Sequence, residues 1–126
     1  MRQDTHFILL AHGSPDPRWR GTFEAGLAAI RPRLVNNTSL AYMEMASPTL
    51  HDVIRGEYEQ GTTRYIIVPL FFAAGRHLLE DVPRQIDELK ESFANIDIEL
   101  RDAVGENSAF WEFLADALNG QALIPT

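Results

Sequence analysis

The chain has no cysteine and no long apolar run, and these two absences exclude several classes of protein. Without cysteine there can be no disulfide, no thiolate zinc site and no cysteine-ligated iron–sulfur cluster, so nitrogen and oxygen must hold any metal. No apolar stretch reaches the roughly 18 residues that a membrane span needs. The residues before the first apolar run, Met1–His6, contain no signal-peptide core. We therefore expect a cytoplasmic protein that does not enter a membrane.

Basic charge is also scarce. Lysine and arginine number 11 against 18 acidic residues, which gives a formal net charge of -7 and a pI near 4.9. Nucleic-acid binding requires a basic face that neutralises phosphates, so we expect no nucleic-acid partner. All the basic residues except Lys90 are arginine, which suits bidentate recognition of carboxylates, although genome composition explains most of such a bias. The length of 126 residues predicts one domain over 1–126.

The apolar residues switch regularly between a period of two and a period of about 3.6, which predicts four strands alternating with four helices. Pro32 should end or kink the first helix near Arg31. Ser47 and Pro48 should open the second helix as N-cap and first helical residue, and Asp81 should cap the third. The predicted strands are Phe7–Ala11, Leu40–Met45, Tyr65–Phe72 and Ile96–Leu100, and the helical faces carry Phe23–Leu34, Leu50–Tyr58, Val82–Phe93 and Phe110–Leu118.

This alternation predicts an α/β fold: a doubly wound, flavodoxin-like four-stranded parallel sheet of order 2-1-3-4 with helices on both faces. In that order strands one and three are neighbours, and ligands bind outside the carboxyl ends of the strands, where the order reverses. His12 follows strand one, His77 follows strand three, and Glu44 ends strand two. The sequence therefore predicts two imidazoles and a carboxylate at one cleft.

The other two histidines receive a simpler interpretation. His6 precedes the predicted first strand and His51 lies on the second helix, so we expect solvated or hydrogen-bonded side chains rather than ligands. Gly13 and Gly75 stand beside the site histidines. We expect both glycines to be structural, because glycine permits positive φ and close backbone approach.

Three segments, Leu10–Ser14, Met43–Leu50 and Val68–Pro83, resemble the CbiX/SirB family of sirohydrochlorin chelatases in its short, single-repeat form. The third segment is the most specific, with a proline inside a strand, a glycine two residues before the histidine, and an Asp-x-Pro helix start. By this resemblance His12 and His77 are the metal-binding catalytic pair, and Glu44 matches the acidic residue near the metal. The chain departs from the family pattern at Pro15, where an arginine often follows His-Gly-Ser.

The resemblance implies insertion of a divalent metal ion, cobalt or iron, into sirohydrochlorin in cobalamin or sirohaem biosynthesis. The ion (Co²⁺, Fe²⁺ or Ni²⁺) is then a substrate, and no tightly bound cofactor is expected. Imidazole suits all these metals, so the ligands do not select one. Either histidine, or Glu44, could accept a pyrrole proton. Sirohydrochlorin carries many carboxylates, and the candidate substrate-binding residues in the two histidine loops are Ser14, Arg18, Arg20, Gly75 and Arg76.

The resemblance also implies a homodimer, because a single repeat supplies half of the cleft that a tandem chelatase encloses.

Three other interpretations of the residues stay open to comparison. A histidine phosphatase would have an arginine directly before the histidine, where this chain has Ala11, and acyl hydrolysis would need a Gly-x-Ser-x-Gly elbow that the chain lacks. The site could also belong to a non-catalytic metal or tetrapyrrole carrier, or its histidines could be incidental.

Overall fold

The structure is a computed structural model, and it describes residues 4–120 apart from the side chain of His77. Four parallel strands form one sheet of order β2-β1-β3-β4, which confirms the predicted fold class and strand order. None of the helices in the described range is long and apolar enough to cross a membrane. The strands are β1 (Thr5–Ala11), β2 (Thr38–Tyr42), β3 (Arg64–Pro69) and β4 (Asp97–Leu100), and the helices are α1 (Pro17–Ile30), α2 (Leu50–Glu59), α3 (Val82–Ser92) and α4 (Ser108–Leu118).

Strand β1 lies in the middle of the sheet and pairs with β2 on one side and β3 on the other. Its register places Ala11 opposite Tyr42 and Leu10 opposite Pro69. All three strands therefore end along one border of the sheet, which we call the carboxyl edge. The loops that leave this edge carry His12, Glu44 and His77.

Most of the core lies between the sheet and helices α2 and α3. Alternate residues of β1 and β3, including Ile8, Leu10 and Ile67, are fully buried against Ile54 of α2 and Val82 of α3. On the other face of the sheet α1 buries one side chain, Leu27, and α4 buries one, Ala117. The two faces of this doubly wound sheet are therefore packed unequally.

Three predicted element boundaries were wrong, namely the start of α2 and the ends of β2 and β3. Helix α2 begins at Leu50, with Thr49 as its N-cap in a capping box with Asp52, and the predicted cap at Ser47 lies in the preceding loop, where the Ser47–Pro48 peptide bond is cis. Strand β2 ends at Tyr42, because Met45 adopts a left-handed φ of 61° that a strand does not permit.

Strand β3 likewise ends at Pro69, so the apolar residues 70–72 belong to the loop after it. The prediction that Pro32 ends the first helix is confirmed, since α1 stops at Ile30. Asp81 occupies the N-cap position of α3, but its side chain makes no capping hydrogen bond, which corrects the predicted cap. It pairs instead with Arg84, one turn along the helix.

Candidate active site

His12 leaves β1 at the carboxyl edge and is held there by an aromatic neighbour. Its imidazole stacks on the ring of Phe71, with centroids 4.4 Å apart and planes 17° from parallel. Its Nδ1 lies 3.4 Å from Oε1 of Glu44, and the two side chains keep 45% and 40% of their surface exposed. The pair is thus fixed in orientation and still open to a ligand.

Glu44 is positioned by close contact between two loops. The Met43 backbone N–H donates to the Ala11 carbonyl at 2.8 Å, so the chain after β2 continues beside the chain after β1. A Cβ atom at Gly13 would lie 1.6 Å from the Glu44 carbonyl oxygen, so a larger residue does not fit there. The predicted close approach at Gly13 is confirmed. Among the described residues, Oε2 of Glu44 is buried and has no hydrogen-bond partner, which leaves it able to accept a proton or bind a cation.

His77 begins a π-helical turn, His77–Asp81, that leads into α3. Its side chain lies outside the described part of the structure, so the predicted meeting of His12 and His77 stays a prediction. Within the described part, no three or more histidine, aspartate and glutamate side chains are grouped so that they could hold a metal ion. The part of the candidate site that the structure describes therefore consists of His12 and Glu44.

A cavity of about 580 Å³ opens beside His12, within the size range of ligand pockets. Its walls are mostly apolar and aromatic, and Arg76 is the charged member among the described lining residues. Such a space suits a flat, largely apolar ligand with acidic groups at its rim. The lining consists of His12, Trp19, Phe23, Leu70, Phe71, Phe72, Ala73, Gly75, Arg76 and Leu78.

Sequence reasoning missed the aromatic walls. It assigned Phe71 and Phe72 to the third strand, although the strand ends before them and Phe72 is largely exposed. Trp19 went unnoticed because it lies in the first turn of α1, outside the predicted apolar face. Consecutive phenylalanines gave no signal against a strand, because the strands of a sheet covered on both faces bury consecutive residues, as Tyr65, Ile66 and Ile67 of β3 do.

A second glycine contact fixes the loop after β3. A Cβ atom at Gly105 would lie 2.0 Å from the Phe72 carbonyl oxygen, and the Gly105 N–H donates to the Phe71 carbonyl at 2.9 Å. The Trp111 indole N–H in turn donates to the Gly105 carbonyl at 2.6 Å. Both aromatic residues beside His12 are therefore held by backbone contacts from the segment after β4.

The five candidate substrate residues divide into two groups. Gly75 and Arg76 line the cavity, and the Arg76 guanidinium lies 3.5 Å from Glu80. Among the described residues, a Cβ atom at Gly75 would meet nothing within 4 Å, and its φ lies outside the positive range, so this part of the structure shows no steric need for a glycine there. The remaining three, Ser14, Arg18 and Arg20, lie outside the described lining.

These three residues organise the start of α1. Asp16 caps the helix and binds the Arg18 guanidinium, with Nη2 2.8 Å from Oδ2. This pairing lowers the pKa of the Asp16 carboxyl. The Ser14 hydroxyl accepts from the Asp16 N–H at 3.1 Å, and Arg20 donates to the Ser14 carbonyl at 3.4 Å. The loop after His12 is therefore ordered by its own hydrogen bonds.

The other two histidines lie away from the cavity. His6 is part of β1 rather than before it, and it is buried, with Nε2 2.8 Å from the Ser39 hydroxyl and Nδ1 3.5 Å from Glu57. Burial lowers the pKa of His6, and the nearby Glu57 carboxylate partly opposes that effect. His51 is exposed on α2 beside Phe93, with ring centroids 5.4 Å apart. The hydrogen-bonded interpretation of His6 is confirmed.

The sequence matches the CbiX family model over residues 6–120. Among curated relatives, the sirohydrochlorin cobaltochelatase of Saccharolobus islandicus is 29% identical over 120 residues, covering 89% of this chain and 91% of the relative. The sirohydrochlorin ferrochelatase of Priestia megaterium is 28% identical over 80 residues, which cover 64% of this chain and 30% of the relative.

Solved structures give the same result for the fold. A CbiX protein from Marinobacter aquaeolei VT8, ascribed to cobalamin (vitamin B12) biosynthesis, is 37% identical and superposes with a TM-score of 0.83 over 93% of this chain and 96% of that one. The sirohydrochlorin chelatase SirB from Bacillus subtilis subspecies spizizenii, in complex with cobalt, is 18% identical with a TM-score of 0.78. The match covers 91% of this chain and 50% of SirB.

Proposed function

Because this chain belongs to the CbiX family, we propose that it is a chelatase that inserts a divalent metal ion into sirohydrochlorin. The observation that carries the proposal is the His12–Glu44 pair, 3.4 Å apart at the carboxyl edge, whose His12 lines an aromatic cavity of about 580 Å³. Relatives with both cobaltochelatase and ferrochelatase names support the reaction type.

In this proposal His12 and His77 bind the incoming ion, with Glu44 beside them. The Glu44 carboxylate lies next to Nδ1 of His12, so a proton held at Nδ1 leaves the Nε2 lone pair for the metal. Two or three nitrogen and oxygen ligands with open positions suit an ion that must be released to the macrocycle. A closed thiolate site, which this cysteine-free chain cannot form, would hold the ion too tightly.

Insertion also releases protons. The ion replaces two pyrrole N–H protons, so one M²⁺ enters and two H⁺ leave per turnover. Oε2 of Glu44 is buried and without a hydrogen-bond partner in the described structure, which suits it to take one proton at the site. His12 is the second candidate acceptor, once the ion has moved from its nitrogen to the macrocycle.

The substrate carboxylates require local positive charge in a chain of net charge -7. Arg76 is the proposed first contact, because it lines the cavity and its pairing with Glu80 at 3.5 Å is exposed and therefore weak. Gly75 gives the macrocycle room beside it. Ser14, Arg18 and Arg20 would contact those substrate carboxylates that extend beyond the described lining toward the start of α1.

Steady-state insertion rates test the proposal and address the metal. Purified protein is given metal-free sirohydrochlorin with Co²⁺, Fe²⁺ or Ni²⁺ at equal free concentration, and the macrocycle absorbance is followed. We expect multiple turnovers with the physiological ion, cobalt implying cobalamin and iron implying sirohaem. His12→Ala should reduce kcat/KM by about 100-fold or more. His51 is exposed on α2 away from the cavity, so His51→Ala should have the kcat/KM of the wild type.

A non-catalytic carrier is the alternative function that this experiment separates. A carrier would bind sirohydrochlorin or metal in stoichiometric amounts and give no insertion above the rate in solution. Turnover that survives in both His12→Ala and His77→Ala would contradict the assigned ligands.

We further propose that the active form is a homodimer. Large apolar side chains in the carboxyl-edge loops are exposed, namely Met45, Phe72 and Leu79, as expected of a surface that another molecule covers. The chain also spans only 50% of the SirB chain that it matches. Sedimentation should show a dimer that Met45→Glu weakens, and a monomer fully active at nanomolar concentration would contradict the proposal.

A further inference from the structure

Trp19 is held in the cavity wall by three contacts. Its indole N–H donates to the backbone carbonyl of His12 at 2.6 Å. Its ring packs edge to face on Phe23, with centroids 5.5 Å apart, and its backbone N–H donates to the Asp16 carbonyl at 3.0 Å. The side chain is thus fixed before any ligand arrives, so little conformational entropy remains to be lost on binding.

Despite these contacts, 43% of Trp19 is exposed, and it lines the same cavity as His12. The one polar atom of the indole is already bonded to the His12 carbonyl. The surface that Trp19 offers to the cavity is therefore aromatic carbon, which favours a flat apolar partner over a polar one. A solvated tryptophan of this kind, fixed beside a candidate metal ligand, is typical of a binding wall.

We propose that Trp19 is a substrate-binding residue that stacks against the conjugated plane of the tetrapyrrole while His12 presents the metal. The inference rests on the proposed function, since it takes sirohydrochlorin as the ligand. The indole N–H of Trp19 donates a hydrogen bond to the His12 carbonyl. His12 would therefore bind the ion and also fix the position of the ring that stacks on the macrocycle.

Two substitutions separate the aromatic face from the hydrogen bond. Trp19→Phe keeps a ring in the wall and loses the N–H donor, whereas Trp19→Leu loses both. Tyr58→Leu is a matched control, because the Tyr58 hydroxyl also donates to a backbone carbonyl, that of Ala94 at 2.9 Å, and its ring also packs on a phenylalanine, but it lies on α2 outside the described cavity lining.

The measurement is the dissociation constant of metal-free sirohydrochlorin, obtained by titrating its own absorbance band with protein. Co²⁺ affinity and melting temperature are measured on the same samples. We expect Trp19→Leu to weaken sirohydrochlorin binding by about 10-fold and Trp19→Phe by less than about 3-fold, with Co²⁺ affinity unchanged in both. Tyr58→Leu should bind like the wild type.

Equal weakening in Trp19→Phe and Trp19→Leu would overturn the stacking role and assign the effect to the hydrogen bond with His12. Wild-type binding in Trp19→Leu, or an equal loss in Tyr58→Leu, would overturn it as well. If the wild type binds sirohydrochlorin but gives no insertion, the proposed function fails while the stacking role holds. If the wild type does not bind it at all, both fail.

Discussion

Replacing Gly13 with alanine tests whether loop contact holds the active site together. The added Cβ would lie 1.6 Å from the Glu44 carbonyl oxygen, where real Cβ atoms stay at least 3.0 Å away, so the two loops must separate by about 1.4 Å. Gly13 does not have a positive φ, so the strain comes from contact alone. A displacement of this size at a ligand can cost about 100-fold in rate.

We therefore expect Gly13→Ala to lower kcat/KM for metal insertion by about 100-fold and to destabilise the fold by about 1 to 3 kcal/mol, as overpacking does. Insertion kinetics and thermal unfolding measure the two effects. Gly26→Ala is the control, because a Cβ there would meet nothing within 4 Å, and alanine should stabilise α1 by up to about 1 kcal/mol. Wild-type kinetics and stability in Gly13→Ala would refute the argument.

Three further predictions concern metal binding, the charge that contacts the substrate, and the protonation of a buried histidine. Co²⁺ at about 100 times its dissociation constant should stabilise the fold by about 2.7 kcal/mol, which raises the melting temperature by about 5 to 10 °C. His12→Ala or His77→Ala should abolish this increase, and His51→Ala should keep it. Arg76→Glu should lower kcat/KM for sirohydrochlorin by about 10-fold or more and keep the Co²⁺ shift, and added salt should slow the wild type more than the variant. Because burial holds the pKa of His6 below 6.5, its contribution to stability is complete above pH 6.5 and declines as the pH falls. His6→Gln should remove that decline, at most about 1.4 kcal/mol per pH unit, in melting curves between pH 8 and 5.

The fold could be predicted because its signals are local and repeat along the chain. Apolar period, Pro32 and the alternation of strands with helices lead to the sheet order without knowledge of any distant contact. The residues at which helices and strands begin and end were harder to predict from the sequence. Thr49 rather than Ser47 caps α2, because Thr49 and Asp52 form a capping box, a second local signal that outcompetes Ser47-Pro48.

The sequence predicted that His12 and Glu44 would lie together, and it did not predict the aromatic walls of the cavity. Histidine and glutamate after strand ends are recognisable because topology alone brings strand ends together. Trp19 and Phe72 line the cavity through packing between loops, and packing depends on side-chain directions that a sequence does not specify. Gly105 is a similar case, since its need for a small residue arises from Phe72, far away in the sequence.

Two histidine–glutamate pairs in this protein show why position decides chemistry. His6 and Glu57 approach to 3.5 Å, and His12 and Glu44 approach to 3.4 Å, so distance does not distinguish them. Side-chain exposure is 5% for His6 and 45% for His12. A metal ion that must enter and leave needs open coordination positions, which a buried imidazole bonded to Ser39 does not offer. The same residue types therefore stabilise the fold inside the sheet and supply a candidate metal site at its carboxyl edge.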